Sequence, residues 1–243
     1  MNGIPSTDLG SWLSRGWNTF KNQPKPLILA SVIINLIEMP MFFLMAEKLA
    51  AVPKWGWVVL AFNMLLLSPV LLIGWCALLL KAVRGSRATV VDLFSGFSRF
   101  GPAWGTGILV LLMTYGGMLL CIAPGIILWC TYLCSLFAVT DRQLSAAKAL
   151  RLSAKITKGH RGKLFGVFLI ATVPSLIASP LFKAWQSHKE QWGLTPLAIA
   201  VVLELITVLI IMPWTCAANA SAYDSLISQP EAQAVPEAAP TGK

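Results

Sequence analysis

The stretch WVVLAFNMLLLSPVLLIGWCALLL, residues 57–80, contains no charged side chain and is followed by Lys81, Arg84 and Arg87. A helix needs about 20 mostly apolar residues to cross a hydrocarbon layer of roughly 30 Å. A membrane-spanning strand is shorter and alternates apolar with polar residues, and this run does neither. It reads as a membrane-spanning helix with a basic end.

Five more segments read the same way, giving expected spans at Pro26–Ala46, Trp57–Leu80, Ala103–Ile122, Pro124–Thr140, Leu164–Phe182 and Leu194–Met212. The composition agrees, being 56% hydrophobic and 12% charged with a mean hydropathy of +0.71, outside the range of soluble domains. The expected fold is all-α: a polytopic membrane protein with six transmembrane helices as three hairpins, each preceded by an amphipathic surface helix.

The gaps between spans carry the orientation. Of nineteen lysines and arginines, fifteen fall before the first span, in alternate gaps or in the tail, and only Lys48, Lys54, Lys183 and Lys189 fall on the other side. Basic loops stay in the cytoplasm, so both ends of the chain are expected there. Eight of the ten tryptophans (Trp12, Trp17, Trp55, Trp57, Trp104, Trp185, Trp192 and Trp214) lie near span ends, where the amphipathic indole prefers the interface. The first 25 residues are polar and carry no cleavable leader signal, so the first span is expected to direct its own insertion. The formal charge of +9 is topogenic on this reading and implies no nucleic-acid partner.

Three segments on the basic side have helical amphipathicity. In Asp8–Phe20 the apolar residues are Leu9, Trp12, Leu13, Trp17 and Phe20. In Val90–Phe100 they are Val90, Leu93, Phe94, Phe97 and Phe100, preceded by Thr89 and Asp92 at capping-box spacing. In Ser145–Lys158 the cations Lys148, Arg151, Lys155 and Lys158 form one stripe. That stripe is the expected contact for membrane lipids, anionic ones above all. The domain reading is an N-terminal amphipathic helix over 1–25, a six-helix membrane domain over 26–227, and an Ala/Pro/Glu-rich disordered cytoplasmic tail over 228–243.

Within the spans, Glu38 and Glu204 stand out. A carboxylate at mid-bilayer costs about 2.5–3.5 kcal/mol and normally faces protein or water. With Asn35 and Asn63 they form a candidate polar site, either for transport of a proton or cation or for packing alone. Pro40, Pro69, Pro174 and Pro180 interrupt spans, and Gly101 and Gly105 have the spacing that lets helices approach closely. The five cysteines and two histidines lack metal-ligand spacing, and no motif implies a catalytic residue, metal or cofactor.

The runs Gly74-Trp-Cys-Ala-Leu-Leu-Leu-Lys81, Arg84-Gly85 and Asp92-Leu-Phe-Ser-Gly-Phe97 carry a family resemblance, as do Pro124-Gly-Ile-Ile127, Ala149-Leu150, Ser153 and Thr157-Lys-Gly-His160. Over roughly residues 10–225 the chain resembles a broad family of uncharacterised bacterial six-helix integral membrane proteins. That family is similar to the membrane domain preceding some glycerophosphodiester phosphodiesterases. The resemblance implies a helical fold in a bacterial inner membrane, and it transfers no catalytic residue. The functional expectation is a non-enzymatic scaffold, accessory subunit or lipid-interacting protein, possible partners being lipid and a membrane protein complex. The alternative is a small transporter or channel using Glu38 and Glu204.

Overall fold

The computed structural model describes residues 6–46, 54–120 and 122–229; Lys48, Cys121 and the expected tail from residue 230 onward lie outside them. The described residues form helices and no strand. In chain order these are α1 (Leu9–Asn22), α2 (Pro24–Ala46), α3 (Lys54–Phe62), α4 (Ser68–Val83), a 3-10 helix (Val90–Arg99), α5 (Phe100–Leu120), α6 (Ile122–Arg142), α7 (Ala146–Ile156), α8 (Arg161–Trp192), α9 (Thr195–Ile206) and α10 (Met212–Ile227). Five stretches among the described residues are long and apolar enough to cross a membrane: Leu65–Val83, Phe100–Leu119, Ala123–Arg142, Arg161–Trp185 and Thr195–Ile227. They fall on the second to sixth expected spans, as a multi-pass membrane protein requires. The first expected span lies within α2.

Two spans contain a device that the hydropathy pattern does not show. α3 joins α4 through a π-helical turn, Asn63–Leu67, and α9 joins α10 through another, Thr207–Ile211. Each turn ends two residues before a proline, Pro69 or Pro213. Proline has no N–H to give the carbonyl behind it, and in a membrane that carbonyl needs another donor. The carbonyl of Leu65, four residues before Pro69, receives the indole N–H of Trp104 at 2.5 Å. The carbonyl of Val208, in the second π turn and five residues before Pro213, receives the hydroxyl of Ser31 at 2.8 Å. The last helix runs beyond the expected end of its span at Met212, through α10 to Ile227.

Burial is concentrated where the C-terminal parts of α4, α6 and α10 meet α1, α7 and the 3-10 helix. Trp12, Leu78, Leu93, Ala138, Leu164 and Tyr223 are all fully buried there. Elsewhere the spans turn large apolar side chains outward, among them Val58, Leu112, Leu119, Leu176 and Val202, as helices facing lipid must. Hydrocarbon removes most of the hydrophobic drive between helices, leaving close packing to hold them. α10 meets that need with Ala217, Ala218, Ala220, Ser221 and Ala222, all buried. Gly16 of α1 lies so close that a Cβ there would come within 2.6 Å of the Ala218 nitrogen.

The three amphipathic segments form helices, but their buried faces meet protein. α1 starts from the N-cap Asp8, whose side chain accepts from the Gly10 N–H. Trp12, expected at the lipid interface, is buried edge-on against His160, and Trp214 donates to the Leu13 carbonyl at 3.0 Å. The second segment is a 3-10 helix and not an α-helix. Its residues repeat every three positions, so the expected single apolar face splits. Leu93 and Gly96 face inward, Val91, Phe94, Phe97 and Phe100 are exposed, and Asp92, Ser95 and Ser98 form a polar row. Three residues per turn align such a repeat on three faces. The expected cap is present: the Thr89 N–H donates to Asp92 Oδ2 at 2.9 Å.

The expected close-packing pair, Gly101 and Gly105, is not where α5 is tightest. A Cβ at Gly101 would meet nothing within 4 Å, whereas one at Gly107 would lie 2.5 Å from Pro69 and one at Gly117 would lie 3.0 Å from the Gly125 Cα. Spacing alone could not tell which glycines face a neighbour.

Candidate functional site

α7 is divided cleanly. Ala149, Leu150, Leu152, Ser153 and Ile156 are buried, while Lys148, Arg151, Lys155 and Lys158 are exposed. The buried face is locked onto α6, where the Thr131 carbonyl accepts from Ser153 Oγ at 2.6 Å and from Thr157 Oγ1 at 3.2 Å. Lys148, Arg151 and Lys155 therefore belong to a helix whose rotation is fixed, and with Lys158 in the turn that follows they form a basic strip.

A second polar place lies along α2. Ser31, Asn35 and Glu38 recur at helical spacing and reach both π-interrupted helices. Ser31 bonds Val208 as above, and Asn35 Nδ2 donates to the Ser31 carbonyl at 2.9 Å and to Met212 Sδ at 3.4 Å. Ser68 Oγ lies 2.6 Å from Glu38 Oε1 and 2.9 Å from Asn63 Oδ1. Asn63 Nδ2 donates to the Ile37 carbonyl at 3.1 Å, which orients its amide. A hydroxyl carries one hydrogen, so Ser68 serves one of these two acceptors at a time. Glu38, Ser68 and Asn63 thus form one hydrogen-bonded chain.

Of the four expected polar residues, the structure thus joins Glu38 to Asn63 through Ser68 and sets Asn35 beside them on α2. Glu204 stands apart. It is exposed on α9 among exposed Val201, Val202 and Leu205, with no hydrogen bond or ion pair to Glu38 among the described residues. Ser68 was not among the expected residues, because a lone hydroxyl in an apolar span is ordinary.

An ion network, also absent from the sequence reading, ties four helices together. Gly85 at φ +76° ends α4, with Ser86 N donating to the Lys81 carbonyl and Gly85 N to the Ala82 carbonyl. That turn holds Arg84 at the helix end. Arg84 pairs with Asp141 of α6 through both oxygens and with Asp224 of α10 at 3.1 Å. Arg15 of α1 binds Asp224 at 2.8 Å, and Tyr223 donates to Asp141 at 3.1 Å. The hydrogen bond to Asp141, joined by Asp224, outweighs burial and holds the Arg84 pKa above its ordinary value.

Burial alone would raise the Asp92 pKa, but hydrogen bonds from Lys81 and Thr89 bring it below the usual carboxylate range. His160 is pushed down by burial and by the nearby Lys163 charge. Cys76, Cys130 and Cys134 are buried free thiols, and no group of three metal-binding side chains forms among the described residues.

Comparison with protein families, curated proteins and solved structures found no match.

Proposed function

We propose that the chain is a non-enzymatic integral membrane protein, a scaffold or accessory subunit that holds anionic lipid headgroups against its basic side. On this reading it has six transmembrane helices as three hairpins, with both termini in the cytoplasm of a bacterial inner membrane. The distribution of basic residues supports the orientation, and the family resemblance supports the membrane. A reporter exported when fused after Lys243 would reverse the orientation.

The observation that carries the lipid reading is the outward strip of Lys148, Arg151 and Lys155 on α7 with Lys158 in the turn that follows. Each cation near an anionic leaflet contributes on the order of 1 kcal/mol. Glu204 adds support for a partner, since a carboxyl exposed in a span needs a donor from outside the chain. The test is extraction into native-lipid discs followed by mass spectrometry of everything that copurifies. Changing all four α7 cations to glutamine should cut the enrichment of anionic over neutral lipid at least ten-fold. Unchanged enrichment would remove the lipid reading, and a stoichiometric protein partner would favour the accessory-subunit form.

The Glu38–Ser68–Asn63 chain favours a second reading, passage of a proton or cation. Glu38→Gln in sealed proteoliposomes should then abolish ion flux. Flux equal to that of the unaltered protein, or none from either, would leave the chain a packing device.

A further inference from the structure

A crevice of about 800 Å³ opens between α1, the start of α2 and the loop that follows α4. Arg15, Lys25 and Arg87 line it together with Asn18, Asn22 and Gln23, and among the described residues no carboxylate does. The volume is that of a small-molecule site. Arg15 is committed to Asp224, but Lys25 and Arg87 are exposed and have no ion pair among the described residues.

The wall of the crevice is built. Gln23 ends α1, and its side-chain amide behaves like a short piece of backbone toward the loop. Nε2 donates to the Ser86 carbonyl and Oε1 accepts from the Ala88 N–H, each at 2.9 Å. These two bonds straddle Arg87, so the segment carrying that guanidinium is pinned to the segment carrying Lys25. Cations and amide donors around a space without carboxylates suit an anion with several acceptor oxygens.

We infer that this crevice is a discrete binding site for a phosphate-bearing anion, held by Lys25 and Arg87 with Arg15 and the amides behind them. The chemistry is that of a phosphodiester or phosphomonoester, and the source is either an anionic lipid headgroup or free phosphate. The inference rests on the lipid reading above only in setting this end of the molecule at an anionic leaflet. It differs in predicting one saturable ligand where α7 would gather a diffuse layer.

The test is native mass spectrometry of the full chain, purified in detergent with phosphatidylglycerol supplied at defined ratios. One phosphatidylglycerol should stay bound per chain. The double variant Lys25→Gln/Arg87→Gln should lower its retention at least ten-fold, while Lys25→Arg/Arg87→Lys and the α7 quadruple variant keep it. Both altered side chains are exposed, so the fold should survive, and an unchanged melting temperature checks this. Inorganic phosphate that displaces the lipid at millimolar concentration would assign the site to free phosphate, and failure to displace it would assign the site to the headgroup. Retention unaffected by the double variant overturns the site. If the α7 variant alone loses lipid, the site falls and the lipid reading stands; if neither variant loses it, both fall.

Discussion

Gly74→Ala should remove most of the folded protein, and Gly96→Ala should come close to it. A Cβ at Gly74 would lie 1.6 Å from the carbonyl oxygen of Leu93, and one at Gly96 would lie 2.1 Å from the carbonyl oxygen of Val70. The obstacle in both cases is backbone, so no side chain can swing aside. α4 and the 3-10 helix would have to separate by more than an ångström, giving up dispersion contacts along their whole seam. Overpacking typically costs about 1–3 kcal/mol where side chains can adjust. Here they cannot, so the loss should be at least about 3 kcal/mol, or roughly 6–12 °C in melting temperature for a chain of this size. Gly101→Ala is the matched control, since a Cβ there meets nothing within 4 Å. Alanine is favoured over glycine in a helix by about 1 kcal/mol, so that variant should be no less stable than the parent. Thermal melts in detergent, followed by size-exclusion fluorescence, would decide. If Gly74→Ala melts with Gly101→Ala, the two helices do not meet backbone to backbone.

The same seam shows where the sequence was legible. Length and apolarity identified five spans because a helix crossing a membrane leaves little freedom in either. The Thr89–Asp92 cap was readable because its partners are three residues apart. The α7 strip was readable because a helix with one face locked must put the other outside. The 3-10 helix was missed although its signal was present: Val90-Val-Asp, Leu93-Phe-Ser and Gly96-Phe-Ser repeat in threes. A template of 3.6 residues per turn gathers Leu93, Phe94 and Phe97 onto one face and hides that period. The π turns were missed because nothing local marks them, and the donors that serve their carbonyls, Trp104 and Ser31, come from other helices.

The candidate polar site was half legible for a related reason. Amides and carboxyls in apolar spans must find partners, so Glu38 and Asn63 could be named together from sequence. Which hydroxyl bridges them, and that Glu204 turns away, depends on helix rotation. The anion crevice depends still more on assembly, since its cations come from α1, α2 and a loop that Gln23 holds in place. Nothing in the local sequence of any one of them marks a site.

Arg84 should be the most costly charged residue to remove. Arg84→Met leaves Asp141 with the Tyr223 hydroxyl and Asp224 with Arg15, and both carboxylates keep their places around a cation that is gone. Their side chains are 15% and 18% exposed, whereas that of Arg84 is 40% exposed. Breaking a fully buried pair costs about 3–5 kcal/mol and an exposed one about 0–1. Solvent at the guanidinium screens this network, so about 2 kcal/mol is expected for Arg84→Met, between those limits. Asp141→Asn should cost less, because Arg84 would keep Asp224 and the amide oxygen could still accept from Tyr223. Adding Asp141→Asn to Arg84→Met should recover part of the loss by removing a stranded carboxylate. Melting temperatures of the three variants would test this, with exposed Lys21→Met as the reference for losing one surface cation. If Arg84→Met matches Lys21→Met and the double variant recovers nothing, the four helices are held by packing alone and the network adds no stability.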